Sequence, residues 1–225
     1  DTIIDQSVVM DLSQAFYAAN PPTRLRLRHE TLSGTLYSLT SGQADLAIGV
    51  PMNSPTTLGL RFAEMGTVVG FVFAVAPHHP LARLPQPLSD AVLQAHRAVA
   101  VADSIPQGNG LTIGLLAGQD VFTVPTMAAK LDAQIRGLGA GFLPEPMARP
   151  YIASGALVAL QVMRQQRSGQ LGYAWRENTL SKGQPAGDRA AAALNARRIA
   201  EAELGPAAAA APPPTPNNNR TMAFA

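Results

Sequence analysis

The segment of residues 126–160 constrains the fold of this chain most, because helical and extended patterns alternate in it between Gly and Pro stops. Thr126 is suited to cap a helix whose apolar residues recur at helical spacing. Gly137 and Gly139 are suited to end that helix, because a helix C-terminus favours a residue that tolerates positive φ. A short apolar strand over 141–143, a second helix and a further strand follow. Such alternation predicts an α/β fold with mostly parallel sheets.

The same alternation extends over most of the chain. Apolar residues at helical spacing predict a first helix over 4–19, and Leu25 and Leu27 alternate with Arg as in a strand over 24–28. Residues 205–225 are rich in Ala, Pro and Asn and offer too little apolar surface to offset the entropy of ordering, so we expect a disordered tail. The other predicted elements are helices from Thr31 and over 189–204, helical residues around Leu93, and strands over 45–50, 58–65, 68–76, 98–102, 122–124 and 171–176.

The composition excludes several classes of protein. The chain has no Cys, which excludes disulfides and thiolate chemistry. Its 17 basic residues against 15 acidic ones give a net charge of +2, and the Arg residues are scattered, so no basic nucleic-acid surface is predicted. The longest apolar run, residues 68–76, is far shorter than the ~20 residues that a membrane-spanning helix needs. No signal-peptide pattern is visible, and we expect a cytoplasmic protein with no membrane partner.

No motif of catalysis or metal binding is evident. The chain lacks the G-x-S-x-G, H-E-x-x-H and P-loop patterns. The glycines at 137, 139 and 141 follow a helix and precede a strand, which is the reverse of a phosphate-binding loop. His78 and His79 are adjacent on a predicted turn and have no third ligand at useful spacing, which favours a solvated turn over a metal pair. We therefore expect no enzyme activity, no metal and no cofactor.

Four points of the predicted fold suit a small-molecule site. In open α/β sheets ligands bind beyond the carboxyl ends of strands, where helix N-termini present free N–H groups. Hydroxyl residues precede three predicted helices, a carboxylate and a hydroxyl follow the strand over 98–102, and apolar side chains adjoin them. For each Thr an ordinary N-cap with no ligand is the alternative, and both interpretations stay open. The candidate binding residues are Thr2, Ile3, Thr31, Leu32, Asp103, Ser104, Phe122, Val124 and Thr126.

Several short motifs occur in an order that is typical of one family. The motifs are Glu30-Thr31-Leu32, Leu36-x-x-Leu39-x-x-Gly42-x-x-Asp45, the run from Val75 to Leu81 and the run from Gly137 to Pro144. Together they resemble the effector-binding domain of LysR-type transcriptional regulators over residues 1–204. The resemblance implies a type 2 periplasmic-binding-protein-like fold, in which two lobes with mixed, mostly parallel sheets are joined by two crossover strands. Lobe I is expected at 1–70 plus 163–204, and lobe II at 71–162.

The resemblance also implies partners. A homo-oligomer, either a dimer or a tetramer, is expected to bind a small effector between the lobes. DNA is expected to be bound only through a helix-turn-helix domain that these 225 residues lack. The runs over 100–104 and 173–176 resemble a subgroup that includes a regulator responsive to quinols and nitroaromatic compounds, which implies a small aromatic, phenolic or quinol-like effector. The small number of fixed charges expected in the cleft favours a small, partly aromatic or weakly acidic effector. The alternative function is that of an extracytoplasmic solute-binding protein of a transporter, which shares the fold.

Two features of lobe I bear on this resemblance. The family's first strand precedes the position of Thr2 and is reduced here to Asp1-Thr2, so we expect lobe I to lack a central strand and to be less stable. The Arg residues at 24, 26 and 28 lie on one face of the predicted strand. They fit either a solvated edge or a contact with a second subunit.

Overall fold

A computed structural model describes residues 1–19, 24–54, 59–105, 113–164 and 168–176. The helix predicted over 189–204 and the tail over 205–225 lie outside these residues. The helices are α1 (Gln6–Ala19), α2 (Ser33–Thr40), α3 (Asp90–Gln94), α4 (Met127–Ile135) and α5 (Glu145–Ala153), with a 3-10 helix at Pro80–Arg83. The strands are β1 (Leu46–Pro51), β2 (Leu60–Val75), β3 (Ala98–Val101), β4 (Val121–Val124), β5 (Gly141–Pro144), β6 (Val158–Leu160) and β7 (Ser168–Arg176).

The longest strand, β2, belongs to two sheets. Its first part, from Leu60 to Gly70, pairs with β7, which pairs in turn with β1. Its second part, from Phe71 onward, pairs with β5 and β6. Two segments predicted as separate extended stretches are thus one strand that passes from sheet to sheet. The result is the predicted two-lobed α/β fold.

The predicted preference for parallel pairing is wrong for the described strands. β7 runs antiparallel to β1 and β2, and β5 and β6 run antiparallel to β2. β3 and β4 are the one parallel pair among them, and single parallel bridges join Leu88 to Val162 and Ala98 to Ala140. The prediction assumed that each helix connects two neighbouring parallel strands. In the structure β2 runs antiparallel to its partners in both sheets.

The strand predicted over 24–28 is not formed. These residues join no described sheet, and Leu27 is 46% exposed. Arg28 pairs with the nearby Glu30 at 3.0 Å. Alternation of Leu and Arg predicts one apolar face. A strand also needs a neighbouring strand to bond its backbone N–H and C=O groups, and side-chain alternation does not show whether such a neighbour exists.

Asp1 and Thr2 form no strand either, but they link two segments of lobe I. The backbone nitrogen of Asp1 donates to the carbonyl oxygen of Ile48 in β1 at 2.6 Å. The N–H of Thr2 donates to the carbonyl oxygen of Glu30 at 3.0 Å. Residues 1 and 2 are therefore held between β1 and the segment before α2.

Each lobe has its own apolar core. In lobe I, Leu12 of α1 packs with Met65, Val69, Leu171 and Tyr173. In lobe II, α4 and α5 cover one face of the sheet, where Leu143 is fully buried. The 3-10 helix and α3 cover the other face, around Phe73. The packed helices and strands hold the loops between them in place, and several of these loops face the other lobe.

The turn after β2 was predicted to be solvated, but His79 within it is buried. Its Nδ1 accepts a hydrogen bond from the N–H of Leu81 at 3.2 Å and so caps the 3-10 helix. Its ring centroid lies 5.6 Å from that of His96. Burial, and after it the neighbouring His96 and His78, lower the pKa of His79 below its ordinary value.

We expect the domain to lose stability as the pH falls through 6.5, the ordinary pKa of His. Below that pH the unfolded chain takes up a proton that the folded His79 resists, so the folded state is disfavoured. His79→Asn, which keeps an acceptor, is expected to weaken this dependence in urea unfolding at pH 7.5 and 5.5. His29→Asn is the matched control at an exposed His. Equal pH dependence in the wild type and His79→Asn would contradict the assignment.

Candidate functional site

The structure brings most of the predicted binding residues to one place, where four segments meet. Residues 1–4 and 30–35 come from lobe I, and residues 102–105 and 121–127 come from lobe II. Hydrogen bonds join residues 30–35 to 102–105 and Thr2 to the start of α4. The predicted site is therefore a junction at which the lobes touch directly.

Thr31 makes the shortest of these contacts. Its hydroxyl donates to the carbonyl oxygen of Ala102 at 2.5 Å, and its N–H donates to Oγ of Ser104 at 2.9 Å. The prediction that Thr31 caps α2 is wrong, because the helix begins at Ser33 and the preceding Leu32, with φ of 50°, provides no side-chain cap. The hydroxyl faces the other lobe, and only 3% of Thr31 is exposed.

Two carboxylates accept hydrogen bonds at the N-terminus of α2. Oδ1 of Asp103 accepts from the N–H of Gly34 at 3.1 Å and from that of Ile105 at 3.2 Å. Oδ2 of Asp1 accepts from the N–H of Leu32 and from the hydroxyl of Thr35, both at 3.1 Å. Negative charge is stabilised at a helix N-terminus. The protein thus places its own anions where an anionic ligand would otherwise bind.

Ser104 lies against Gly34 and Glu30. Its hydroxyl donates to Oε2 of Glu30 at 2.7 Å, and its N–H donates to the carbonyl oxygen of Thr31 at 3.4 Å. A Cβ added at Gly34 would lie 1.9 Å from Oγ of Ser104. A larger residue at position 34 would therefore force Ser104 to shift.

The N-terminus of α4 forms the other half of the junction. Oγ1 of Thr126 accepts from the N–H of Ala129 at 3.1 Å, which confirms the predicted cap. Oγ1 of Thr2 accepts from the N–H of Met127 at 3.4 Å. A hydroxyl of lobe I and a hydroxyl of lobe II thus share the free N–H groups of one helix end.

The apolar candidates lie in different surroundings. Val124 is buried in the core of lobe II with Val99 and Val101, while Phe122, two residues earlier on β4, is 40% exposed. Ile3 packs against the core of lobe I. Val124 and Ile3 therefore pack mainly in the cores, and Phe122, the single aromatic residue of these four segments, is partly exposed.

The charge of the junction is negative. The four segments contain no Lys, Arg or His, and three of their residues are acidic: Asp1, Glu30 and Asp103. Glu30 is paired with Arg28. Among the described residues no group of three or more His, Asp or Glu is suited to hold a metal ion. The arrangement can therefore accept hydrogen bonds from a ligand more readily than it can bind an acid.

Comparisons with known proteins identify the family. A sequence profile described as the LysR substrate binding domain matches residues 1–195. The chain belongs to this family. The match covers most of the chain, including all four segments of the junction, and it bears out the resemblance seen in the sequence motifs.

The relatives of this LysR-type domain are transcriptional regulators. The HTH-type transcriptional regulator YeeY of Escherichia coli is 36% identical over 173 residues, which are 77% of this chain and 56% of that protein. The regulator YhaJ of Escherichia coli is 31% identical over 167 residues, which are 73% of this chain and 55% of that protein. The chain spans about half the length of the curated relatives it matches. Both relatives are named as HTH-type transcriptional regulators.

A solved structure has the same fold. The regulatory domain of MetR, a LysR family regulator from N. meningitidis, aligns with a TM-score of 0.57 over 88% of this chain and 89% of that one, at 17% identity. In the part of the LysR-type domain that the structure describes, no helix is long and apolar enough to cross a membrane.

Proposed function

We propose that the chain is the small-molecule-sensing domain of a LysR-type transcriptional regulator of the cytoplasm. The observation that carries this proposal is the junction itself, in which helix ends, hydroxyls and carboxylates of both lobes converge. The family to which the chain belongs is described as a substrate binding domain. An effector that enters between the lobes has to replace some of the contacts that now join them.

The proposed lobes have the limits expected from the family. Lobe I comprises 1–70 and 163–204, and lobe II comprises 71–162. The change in the partners of β2 between Gly70 and Phe71 supports the first limit, because β7 pairs up to Gly70 and β5 begins to pair at Phe71. Residues beyond 176 are assigned to lobe I on family resemblance alone.

The proposed effector is a small, uncharged phenol or quinol. Carboxylates of Asp103 and Glu30 would accept hydrogen bonds from its hydroxyl groups, and the exposed ring of Phe122 offers an aromatic surface. The negative junction disfavours the weakly acidic effectors that the sequence also allowed, because like charges repel at short range. The similarity to YhaJ supports the subgroup expected from the sequence but names no effector.

Signal transmission is proposed to occur through the oligomer. The effector binds one arrangement of the lobes better than the other and so shifts their populations. A dimer or tetramer of the regulator would carry this change to a helix-turn-helix domain elsewhere in the protein, and DNA would be contacted only there. No catalytic role is proposed. The transporter alternative is not favoured, because the relatives found are transcriptional regulators.

Asp103→Asn is expected to weaken phenol binding about fivefold, since a hydrogen bond to a charged acceptor contributes about 1 kcal/mol more than one to a neutral acceptor. Isothermal titration with hydroquinone, catechol and benzoate measures the effect. Asp120→Asn is the control, because Asp120 pairs with Arg97 on the surface. Unchanged affinity in Asp103→Asn, or tighter binding of benzoate than of the phenols, would contradict the proposed effector class.

A further inference from the structure

The carboxylate of Glu30 is shared between two parts of the molecule. Its Oε1 accepts from Nε and Nη2 of Arg28 at 3.1 and 3.0 Å, and Arg28 belongs to the mostly exposed segment that precedes α2. Its Oε2 accepts from the hydroxyl of Ser104, a residue of lobe II, at 2.7 Å. Arg28 and Ser104 are therefore joined through one carboxylate, one oxygen for each.

This carboxylate orients the hydroxyl of Ser104. The hydroxyl has a single hydrogen, and its oxygen lies 2.7 Å from Oε2 of Glu30 and 3.3 Å from the carbonyl oxygen of Thr31. The charged and nearer acceptor forms the stronger hydrogen bond. With its hydrogen directed at Glu30, Oγ of Ser104 can accept from the N–H of Thr31 at 2.9 Å. The position of Glu30 therefore supports a hydrogen bond that joins the two lobes.

Arg28 supplies the restraint that keeps Glu30 in this position. Asp1 and Asp103 also place carboxylates at the junction, and like charges repel at short range. A free Glu side chain also has rotamer entropy to lose when it is ordered. The guanidinium group of Arg28 opposes both effects, because it compensates the charge of Glu30 and holds one of its oxygens with two N–H groups.

We propose that Arg28 is a positioning residue that controls how readily the lobes part at the junction. It acts through Glu30 on Ser104, from a segment that joins no described sheet. A contact that drew Arg28 away from Glu30 would therefore loosen the junction from outside. The consequence for effector binding rests on the proposed function, whereas the control of the lobe contact does not.

Amide hydrogen exchange of the full chain without ligand, followed by NMR, tests this role. In Arg28→Gln the amide of Thr31, which donates to Ser104, is expected to exchange about two- to fivefold faster, as the loss of a partly exposed ion pair allows. Arg28→Lys keeps the charge but not the paired N–H groups, and its effect should be smaller. The amide of Val99, which donates to Ala140 within lobe II, should keep its rate in both variants.

A double-mutant cycle with Glu30→Gln tests whether Arg28 acts through this carboxylate. Gln keeps an acceptor for Ser104 but lacks the charge that holds Arg28. Adding Arg28→Gln to Glu30→Gln should therefore change the exchange of Thr31 no further. Arg26→Gln is the matched control, because Arg26 lies two residues earlier and forms no ion pair with a described residue. The proposal is overturned by a full effect of Arg28→Gln in the Glu30→Gln protein, by no effect in the wild type, or by an equal effect of Arg26→Gln.

Titration with hydroquinone separates this role from the proposed effector class. Contacts between the lobes compete with a ligand that enters between them, so Arg28→Gln is expected to lower the Kd of hydroquinone by about the factor by which it speeds exchange. If hydroquinone does not bind the wild type, the effector class is refuted, and the exchange experiment decides the role of Arg28 by itself. A higher Kd in Arg28→Gln would refute the link from Arg28 to the effector.

Discussion

Lys130→Met is expected to raise the free energy of unfolding at pH 7 by about 3 kcal/mol. Burial lowers the pKa of this amine from 10.5 to about 8, and each unit of pKa shift corresponds to about 1.4 kcal/mol. At pH 7 the amine is charged in both states, and the folded state bears the cost of burying that charge. Met fills a similar volume without the charge, so the cost disappears.

The pH dependence distinguishes this explanation from a simple packing gain. As the pH rises from 8 to 10.5 the folded amine loses its proton before the unfolded one does, so the wild type gains stability and the difference between the two proteins shrinks. Urea unfolding of both proteins at pH 7, 9 and 10.5 measures this difference in the free energy of unfolding. Arg136→Met, at an exposed cation that follows α4, is the control and should change stability by less than about 0.5 kcal/mol. A gain in Lys130→Met that is constant over this range would refute the explanation.

Gly34→Ala is expected to separate the lobes at the junction. The new methyl group would lie 1.9 Å from Oγ of Ser104 and 3.1 Å from Oε2 of Glu30, so Ser104 must move and lose its hydrogen bonds to Glu30 and Thr31. Two such bonds contribute roughly 1 kcal/mol each. The population of molecules that are open at this point should therefore rise by about 10- to 100-fold.

Hydrogen exchange followed by mass spectrometry measures this opening. In Gly34→Ala the amide of Thr31, which donates to Ser104, is expected to exchange about 10 to 100 times faster than in the wild type. The direction of the change in exchange rate is informative. Ala in place of Gly within a helix otherwise stabilises the helix by about 1 kcal/mol, which would slow exchange. Gly70→Ala is the control, since an added Cβ there meets no atom within 4 Å. Unchanged exchange at Thr31 would show that the lobes do not depend on this contact.

The elements that local sequence determines were predicted well. Thr126 caps α4, and Gly137, with φ of 74°, ends it, because both properties depend on residues within one helical turn. The apolar run of β1 and the family motifs around it were likewise sufficient to predict a strand. The family and its two-lobed fold followed from the order of such motifs.

Features that depend on distant residues were not predictable in the same way. The hydroxyl of Thr31 bonds Ala102, which is 71 residues away, rather than its own helix. Asp1 was not expected at the N-terminus of α2, since no local pattern relates it to Leu32. Lys130 and Gln134 lie beside the buried apolar residues of α4. Their helical spacing from those residues was the one feature of the sequence that could have predicted their burial.

Continuity of β2 sets how the lobes can move relative to each other. The sixteen residues of β2 link both sheets, with a shift of register against β7 between Glu64 and Val68. The pairing partner changes between Gly70 and Phe71 with no loop between them. A hinge made of loops could let the lobes slide or swing freely, but a hydrogen-bonded ribbon resists bending in its own plane and yields most easily by twisting. Opening of the junction should therefore be a rotation of one lobe about the axis of this ribbon. The segments farthest from the axis would then travel farthest for a given change of twist.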